Sequence, residues 1–369
     1  MVMNLTRHLD ARVFDTRVGV LEWTGAYVDA IDPARVVRPR IGQGWVHYPS
    51  PSTPAAILTG IPMAPLQQLD LMWQFKPHIL VSLTKSMNIA ARFAVAAYGR
   101  RRVRWIAREG NNTQAVIDWE KTTMLDRALM VGLIRRTYRA ADRVVAISHG
   151  VAAGLSRQIG VPESHIVVIP NGVDIEEVRR RAREEVPVPP RFIVAAGRFV
   201  QQKGFDTLLQ AFAKSATRTD VSLVILGDGP DRRSLEQASV ALGVRDRVLM
   251  PGTVANPWAY VARAEAFVLS SRWEGFANVI VEAMACGTPV IVTDCDYGPR
   301  EIVRHEENGL VVPVDDARGL SEAILRLLGD PALARRLAAG GLERAASLHV
   351  GRAAAAYADL FRQLLSKPA

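Results

Sequence analysis

The sequence predicts an α/β protein made of two doubly wound, Rossmann-like parallel-sheet domains. Three observations predict it. Short β-rich runs alternate with amphipathic stretches from end to end. A proline-rich break, "EEVPVPP" (184–190), separates one such series from a second that starts cleanly with a strand. The length, 369 residues, suits two domains that each bury their own core.

In chain order, the first series gives strands at 12–21, 35–41, 78–83, 103–109, 143–148 and 166–169, with helices at 64–75, 86–98, 121–140 and 149–158. The second gives strands at "RFIVAAG" (191–197), "VSLVILG" (221–227), "RVLMPG" (247–252), "AFVLSS" (266–271), "PVIVTD" (289–294) and "GLVVP" (309–313), with helical segments between them. The expected division is a first domain over 1–170, a linker over 171–190, a second domain over 191–345 and a C-terminal helix over 346–369. The opening "MVMNLTRHLD" has helical periodicity, whereas a doubly wound domain normally opens on a central strand and a glycine-rich turn. The expectation is therefore a first domain lacking its first strand, with about 30 further residues upstream.

Composition narrows the class. Hydrophobic residues make up 49% and charged residues 22%, the balance of a folded globular chain. No apolar run reaches membrane-spanning length, and no basic segment leads into an apolar one at the start. The two cysteines, Cys286 and Cys295, read as reduced core thiols. The net charge of +9 is unevenly placed: residues 1–170 carry 21 Lys/Arg against 12 Asp/Glu, residues 171–369 carry 25 against 25. The densest runs are "GRRRVR" (99–104) and "IRRTYRA" (134–140). Either these are solvated helix ends, or they attract an anionic membrane surface or acidic acceptor. No aromatic-interleaved basic motif accompanies them, so no nucleic-acid partner is expected.

Ligands of open α/β sheets bind beyond the carboxyl ends of the strands, and three such ends in the second domain carry unusual residues. "RFVQQKG" places Arg198 and Lys203 on one loop, a pair suited to a diphosphate. "RWEGFAN" places Glu274 and Gly275 before a helix that has no Ser, Thr or Asp cap, leaving its first amides open to an anion or a sugar hydroxyl. Within that helix, positions 278–285 are apolar except Asn278 and Glu282. A carboxylate there needs a partner. A vicinal diol, whose two hydroxyls donate to its two oxygens, supplies one.

The spacing Glu-x7-Glu in "EGFANVIVEAMACGTPVI", with "GRFVQQKGFDTLLQAFA", "LVILGDGPDRRSLE" and "PNGVD", resembles the retaining glycosyltransferases of family 4, of GT-B fold, over about residues 140–345. The run "TDCDYGPREIV" resembles the branch that uses UDP-sugars, often N-acetylhexosamines, to build cell-envelope glycans. The resemblance implies two Rossmann-like domains facing a cleft. It implies that Arg198 and Lys203 hold the donor diphosphate, Glu282 the ribose and Glu274 the sugar. The amides of Gly275, Phe276, Ala277 and Asn278 would touch sugar or phosphate, and the base would sit near Gly227, Asp228, Thr253 and Val254. It also implies a nucleotide-sugar donor, a glycan or polyprenyl-diphosphate-linked acceptor, no metal or other cofactor, and a cytoplasmic location, peripheral on the inner membrane face if the basic half docks there. The family's glycine-rich loop before the first helix has no counterpart in this sequence. In the first domain, "WIAREGNN" (105–112) makes Glu109 the candidate for facing the reaction centre; His149, in "AISHGV", reads as a helix-start residue.

Two other readings stay open. "DCD" (294–296) has the spelling of a pair that holds a divalent ion and a diphosphate. The chain would otherwise be a non-catalytic or inactive truncated basic module on membranes, which leaves Glu282 buried without purpose.

Overall fold

The computed structural model describes residues 2–21, 31–42, 63–113, 117 and 123–366. The chain forms two compact units, Met1–Asn171 together with Gly351–Ala369, and Gly172–Val350. Residues 121–122 of the expected helix 121–140 lie outside the described residues.

In the first unit β1 (Val18–Gly19) pairs in parallel with β2 (Val36–Val37). A separate four-stranded parallel sheet runs β3 (Ile79–Ser82), β4 (Arg104–Glu109), β5 (Arg143–Ala146), β6 (Ile166–Val168), in that order. Among the described residues, β1 pairs only with β2 and β3 only with β4. The strands expected at 12–21 and 35–41 are thus two residues each. Arg12, Asp15 and Arg17 give the first of these stretches little apolar surface to bury, and the backbone turns at 11–13. The opening helix is Val2–His8, and helices Ala64–Phe75, Lys85–Tyr98 and Met124–Ala140 follow as expected. The helix expected at 149–158 is α-helical over His149–Gly154, then a wider π turn over Leu155–Ile159 that ends on left-handed Gly160.

Residues beyond 350 belong to this first unit. In helix Val350–Leu365, Ala353, Tyr357, Leu360, Phe361 and Leu364 recur at helical spacing and bury against Ile106, Val145 and Ile169 of the sheet. The C-terminal helix is therefore part of a core, not an appended element.

In the second unit a six-stranded parallel sheet has the order β12-β11-β10-β7-β8-β9, with β7 Phe192–Ala196, β8 Ser222–Leu226, β9 Val248–Gly252, β10 Ala266–Leu269, β11 Val290–Thr293 and β12 Leu310–Val312. The strands fall within the stretches read from sequence, at most two residues shorter at either end; β7, β8, β10 and β11 are buried on both faces and so read as unbroken apolar runs, whereas β9, at the sheet edge, leaves Leu249 exposed. Part of the expected linker is also built structure. Ile175–Ala182 is a helix of this unit, capped by Asp174, with acids in its first turn, arginines in its last, and Ile175 and Val178 buried.

Chain order within the sheet positions the site. After β7 the chain adds β8 and β9 on one side, then returns to add β10, β11 and β12 on the other. The carboxyl ends of β7 and β10 therefore flank a topological switch point, where connections leave in opposite directions and open a crevice.

Candidate active site

Glycines let the loops at this switch point approach one another. Gly227 follows β8 at φ +127°, and a Cβ there would lie 2.0 Å from the Gly197 carbonyl oxygen after β7. Gly204, at φ +59°, sits where a Cβ would lie 2.1 Å from the Ser270 carbonyl oxygen. No other residue fits such contacts. The loops after β7 and β10 are then stitched together. Gln202 Nε2 donates to the Trp273 carbonyl (2.8 Å), the Arg272 amide to the Gln202 carbonyl (2.8 Å) and Ser270 Oγ to the Lys203 carbonyl (2.8 Å).

This stitching brings Lys203 onto Glu274. Lys203 Nζ lies 2.6 Å from Glu274 Oε1, and the buried Ser271 hydroxyl donates to the same oxygen at 2.7 Å. Both donors converge on one carboxylate oxygen. Glu274 is 6% exposed, and Oε2 accepts from no described residue. A buried carboxylate neutralised on one oxygen by an ammonium, with the other oxygen open, is equipped to accept from a hydroxyl. Arg198, on the same loop as Lys203, is exposed, and its guanidinium has no partner among the described residues.

Beyond Glu274 the backbone forms a cradle of open amides. Gly275, Phe276 and Ala277 are buried, and among the described residues nothing accepts from their amides. Ala277 is held left-handed at φ +61°, a conformation that costs a non-glycine residue about 1–3 kcal/mol. It starts helix Asn278–Ala285 with no side-chain cap, as the sequence implied. Gly298 presses on the Phe276 backbone from the other side, where a Cβ would come within 2.7 Å.

Glu282 lies one helix turn further on, and the structure corrects one expectation about it. Its Oε2 already accepts the indole N–H of Trp258 at 3.0 Å, so it is not without a protein partner. A diol would meet an open Oε1 and the remaining lone pair of Oε2. Burial pushes the Glu282 carboxyl up, opposed by the Trp258 hydrogen bond. Burial, and then the charge of Glu282, pushes the neighbouring Cys286 thiol up to about 12. Burial, and then Glu274, does the same to Cys295. Neither cysteine is an available nucleophile near neutral pH.

Trp258 is a residue that sequence reasoning missed. It sits in the short helix Pro257–Val261, 24 residues from its partner, and no local spacing links the two. Ser271 was legible, three residues before Glu274 in a strand end of small hydroxyls. The positions expected near a base are brought together: the Gly227 amide donates to the Gly252 carbonyl (2.9 Å), with Asp228 and Thr253 exposed and Val254 partly buried just beyond. Of the "DCD" pair, Asp294 is engaged by Arg300.

Glu109 belongs to the first unit and is built into its interior. It is 3% exposed, takes the Tyr138 hydroxyl and Thr113 Oγ1 (2.7 Å) on Oε2, and the Asn111 amide (3.1 Å) on Oε1. Burial, and then Glu109, pushes the Tyr138 phenol well above its ordinary value. His149 opens its helix behind a Ser148 cap.

The comparisons with known proteins agree with this geometry. The family model "Glycosyl transferases group 1" matches residues 177–344, and "Glycosyltransferase Family 4" matches residues 1–177. The chain belongs to the GT-B glycosyltransferases of group 1. A curated relative, the lipopolysaccharide core biosynthesis glycosyltransferase LpsE of Rhizobium meliloti, is 35% identical over 233 residues, covering 63% of this chain and 66% of that protein. A second, the N-acetylgalactosamine-N,N'-diacetylbacillosaminyl-diphospho-undecaprenol 4-alpha-N-acetylgalactosaminyltransferase of Campylobacter jejuni, is 32% identical over 201 residues, 54% of each chain. This GT-B chain thus spans about half to two thirds of these two relatives. Among solved structures, sucrose-phosphate synthase of Thermosynechococcus elongatus superposes with a TM-score of 0.81 at 24% identity, covering 99% of this chain and 92% of that one. Anabaena HepE in complex with UDP-glucose superposes at 0.77 and 20% identity, covering 98% and 96%. These likenesses establish the GT-B fold.

Proposed function

We propose that this chain is a retaining glycosyltransferase. It would move a hexosyl or N-acetylhexosaminyl unit from a UDP-linked donor to a lipid-linked glycan acceptor in cell-envelope polysaccharide synthesis. The observation that carries the reading is Glu274: a buried carboxylate with Lys203 and Ser271 on one oxygen, the other open, beside three buried amides without acceptors. A nucleotide-sugar satisfies all of these at once. Its diphosphate takes Arg198, Lys203 and the amides of the cradle. Its ribose diol takes Glu282, and its sugar hydroxyls take Glu274 Oε2. The names of the relatives support the acceptor class, and the UDP-bound neighbours support the donor class.

The chemistry follows from where charge develops. The bond between the sugar's anomeric carbon and the diphosphate oxygen breaks, and its electron pair stays on the diphosphate. Arg198, Lys203 and the cradle amides stabilise that charge, the amides already in place before the bond breaks. The acceptor hydroxyl bonds to the oxocarbenium-like carbon on the face the diphosphate leaves, and its proton passes to the departing phosphate oxygen. This front-face course retains configuration without a covalent sugar–enzyme intermediate, and two cations do the work a divalent metal ion would otherwise do.

The first unit supports a peripheral place on an anionic membrane. At the start of helix Met124–Ala140, Met124 (91% exposed), Leu125 (69%) and Leu129 (54%) stand in solvent with exposed Arg127 among them, and Arg135, Arg136 and Arg139 are exposed further along the same helix. No described helix is long and apolar enough to cross a membrane.

The test is a screen of UDP-, GDP- and ADP-sugars for transfer and hydrolysis, with and without EDTA, and the anomeric configuration of the product read by NMR. An inverted anomer, or loss of activity in EDTA, overturns the corresponding part of the reading. Absence of nucleotide-sugar binding by calorimetry overturns the whole.

A further inference from the structure

We propose that Arg108 is an oxyanion subsite of the first unit, taking a phosphoryl or carboxylate group carried by the acceptor. The inference rests on the reading that this chain glycosylates an acceptor, and it names that acceptor's class as acidic. Arg108 lies next to the carboxyl end of β4, an inner strand of its sheet. It is 6% exposed, yet no carboxylate pairs with it among the described residues. Its contacts are neutral. Nη2 donates to Asn171 Oδ1 at 2.5 Å, and the guanidinium stands against the Tyr357 hydroxyl. Nε is buried with no acceptor. Glu109 does not compensate it, since adjacent strand residues face opposite sides, and that carboxylate is taken by Tyr138, Thr113 and the Asn111 amide.

A buried guanidinium with only neutral partners is an unfinished arrangement, because burying a charge without its counter-charge is unfavourable. The way in is visible at the next residue. Gly110 is exposed, and a Cβ built there would have a single atom within 4 Å, Arg108 Nη1 at 3.2 Å. The guanidinium therefore ends directly beneath an open backbone position, where a side chain of any size would close it. The planar fork of arginine suits two oxygens of one phosphoryl or carboxylate group. The carboxyl ends of parallel strands are where such sheets receive ligands.

The experiment saturates the full chain with UDP, so that the donor diphosphate site is filled. Inorganic phosphate and, separately, acetate are then titrated by calorimetry. The wild type is expected to bind one oxyanion. Arg108→Met and Gly110→Val should each weaken that binding by at least about tenfold, the loss of a charge-assisted hydrogen bond. Arg108→Met should melt no lower than wild type in oxyanion-free buffer, because an uncompensated buried charge has been removed. Phosphate in preference to acetate assigns the group as phosphoryl; the reverse assigns a carboxylate. A purely structural arginine gives the opposite pattern, and either part of it overturns the proposal: a lower melting temperature for Arg108→Met, or oxyanion affinity unchanged by Gly110→Val. Failure of UDP to bind sinks the glycosyltransferase reading instead, and the oxyanion titration is still read on its own.

Discussion

Replacing Trp258 with Phe removes one hydrogen bond and little volume, and it tests whether Glu282 binds the donor as a carboxylate. The indole N–H stands 3.0 Å from Glu282 Oε2 and is the donor that steadies its charged form. A hydrogen bond to a charged group contributes about 1.5–3 kcal/mol. At 1.36 kcal/mol per tenfold, losing it raises the proton affinity of Glu282 by about ten- to a hundredfold. Burial already holds this carboxyl above its ordinary range. The protonated form therefore contributes stability that is full below the ordinary carboxyl value and lost as pH rises through the raised one. Donor binding runs the other way, because a diol donates to a carboxylate better than to a carboxyl. UDP affinity should fall as pH falls through the Glu282 transition, and in Trp258→Phe that fall should begin closer to neutral.

Titration calorimetry of UDP between pH 5 and 8 reads this directly. The titration of UDP's own phosphate, near pH ~6, is common to every variant, so the difference between variants isolates the protein. Among the described residues, three other groups near Glu282 bear on the profile. Cys286 stays a thiol in this range, Arg179 holds the Ala285 carbonyl, and Arg181 lies over the Trp258 ring; both arginines keep their charge. Glu282→Gln should keep the fold, bind UDP at least about tenfold more weakly at pH 7.5, and lose the transition altogether. An unchanged profile in Trp258→Phe, or undiminished affinity in Glu282→Gln, would falsify the ribose assignment.

Arg198→Ala and Lys203→Ala should lower kcat by about 10²–10³, more than they raise the donor KM, if they meet charge that develops as the diphosphate leaves; steady-state kinetics showing only a raised KM would reduce them to binding residues. Lys203→Ala should also leave Glu274 held by Ser271 alone, so adding Ser271→Ala to it should cost more than the two single changes predict. Flotation with liposomes should depend on acidic lipid, weaken as salt rises, and fall in a Met124, Leu125, Leu129→Ser triple variant and in an Arg100, Arg101, Arg102, Arg104→Gln variant; equal binding to neutral vesicles rejects the electrostatic account. Gly227→Ala places a methyl 2.0 Å from the Gly197 carbonyl oxygen at a φ that L-residues avoid. It should cost about 2 kcal/mol or more and abolish UDP binding, and a normal melting curve with normal affinity would show that these loops do not need their close approach.

How far the sequence revealed this molecule differs between its halves for a physical reason. In the second unit β7, β8, β10 and β11 are buried on both faces, so their apolar runs are legible without knowing their neighbours. The loops after them carry Arg198, Lys203 and Glu274, because a parallel sheet offers its ligand the carboxyl ends of its strands. In the first unit the same approach overextended β1 and β2, each only a two-residue pairing. It also could not show that helix Val350–Leu365 is packed on the first sheet through Tyr357 and Phe361. That contact joins residues more than 180 positions apart, and nothing in either segment alone specifies it.

Charged residues inside apolar runs were the most informative signal and the one most easily misassigned. Glu282 stood out in a helix of Val, Ile, Ala and Met, and its first partner is an indole whose distance in sequence hides it. In "RWIARE" both Arg108 and Glu109 break an apolar strand, and Glu109 drew attention as the acid. The structure separates the two by what satisfies them. Glu109 has three donors from its own unit, two of them hydroxyls on one oxygen, the condition of a carboxylate that holds a fold together. Arg108 has a buried Nε without an acceptor and, among the described residues, no carboxylate against it. For a buried ionisable group, it is the unsatisfied half of its hydrogen-bonding capacity, rather than its presence in an apolar run, that points to a ligand. Among the described residues, Glu274, Glu282 and Arg108 each keep such an unsatisfied half.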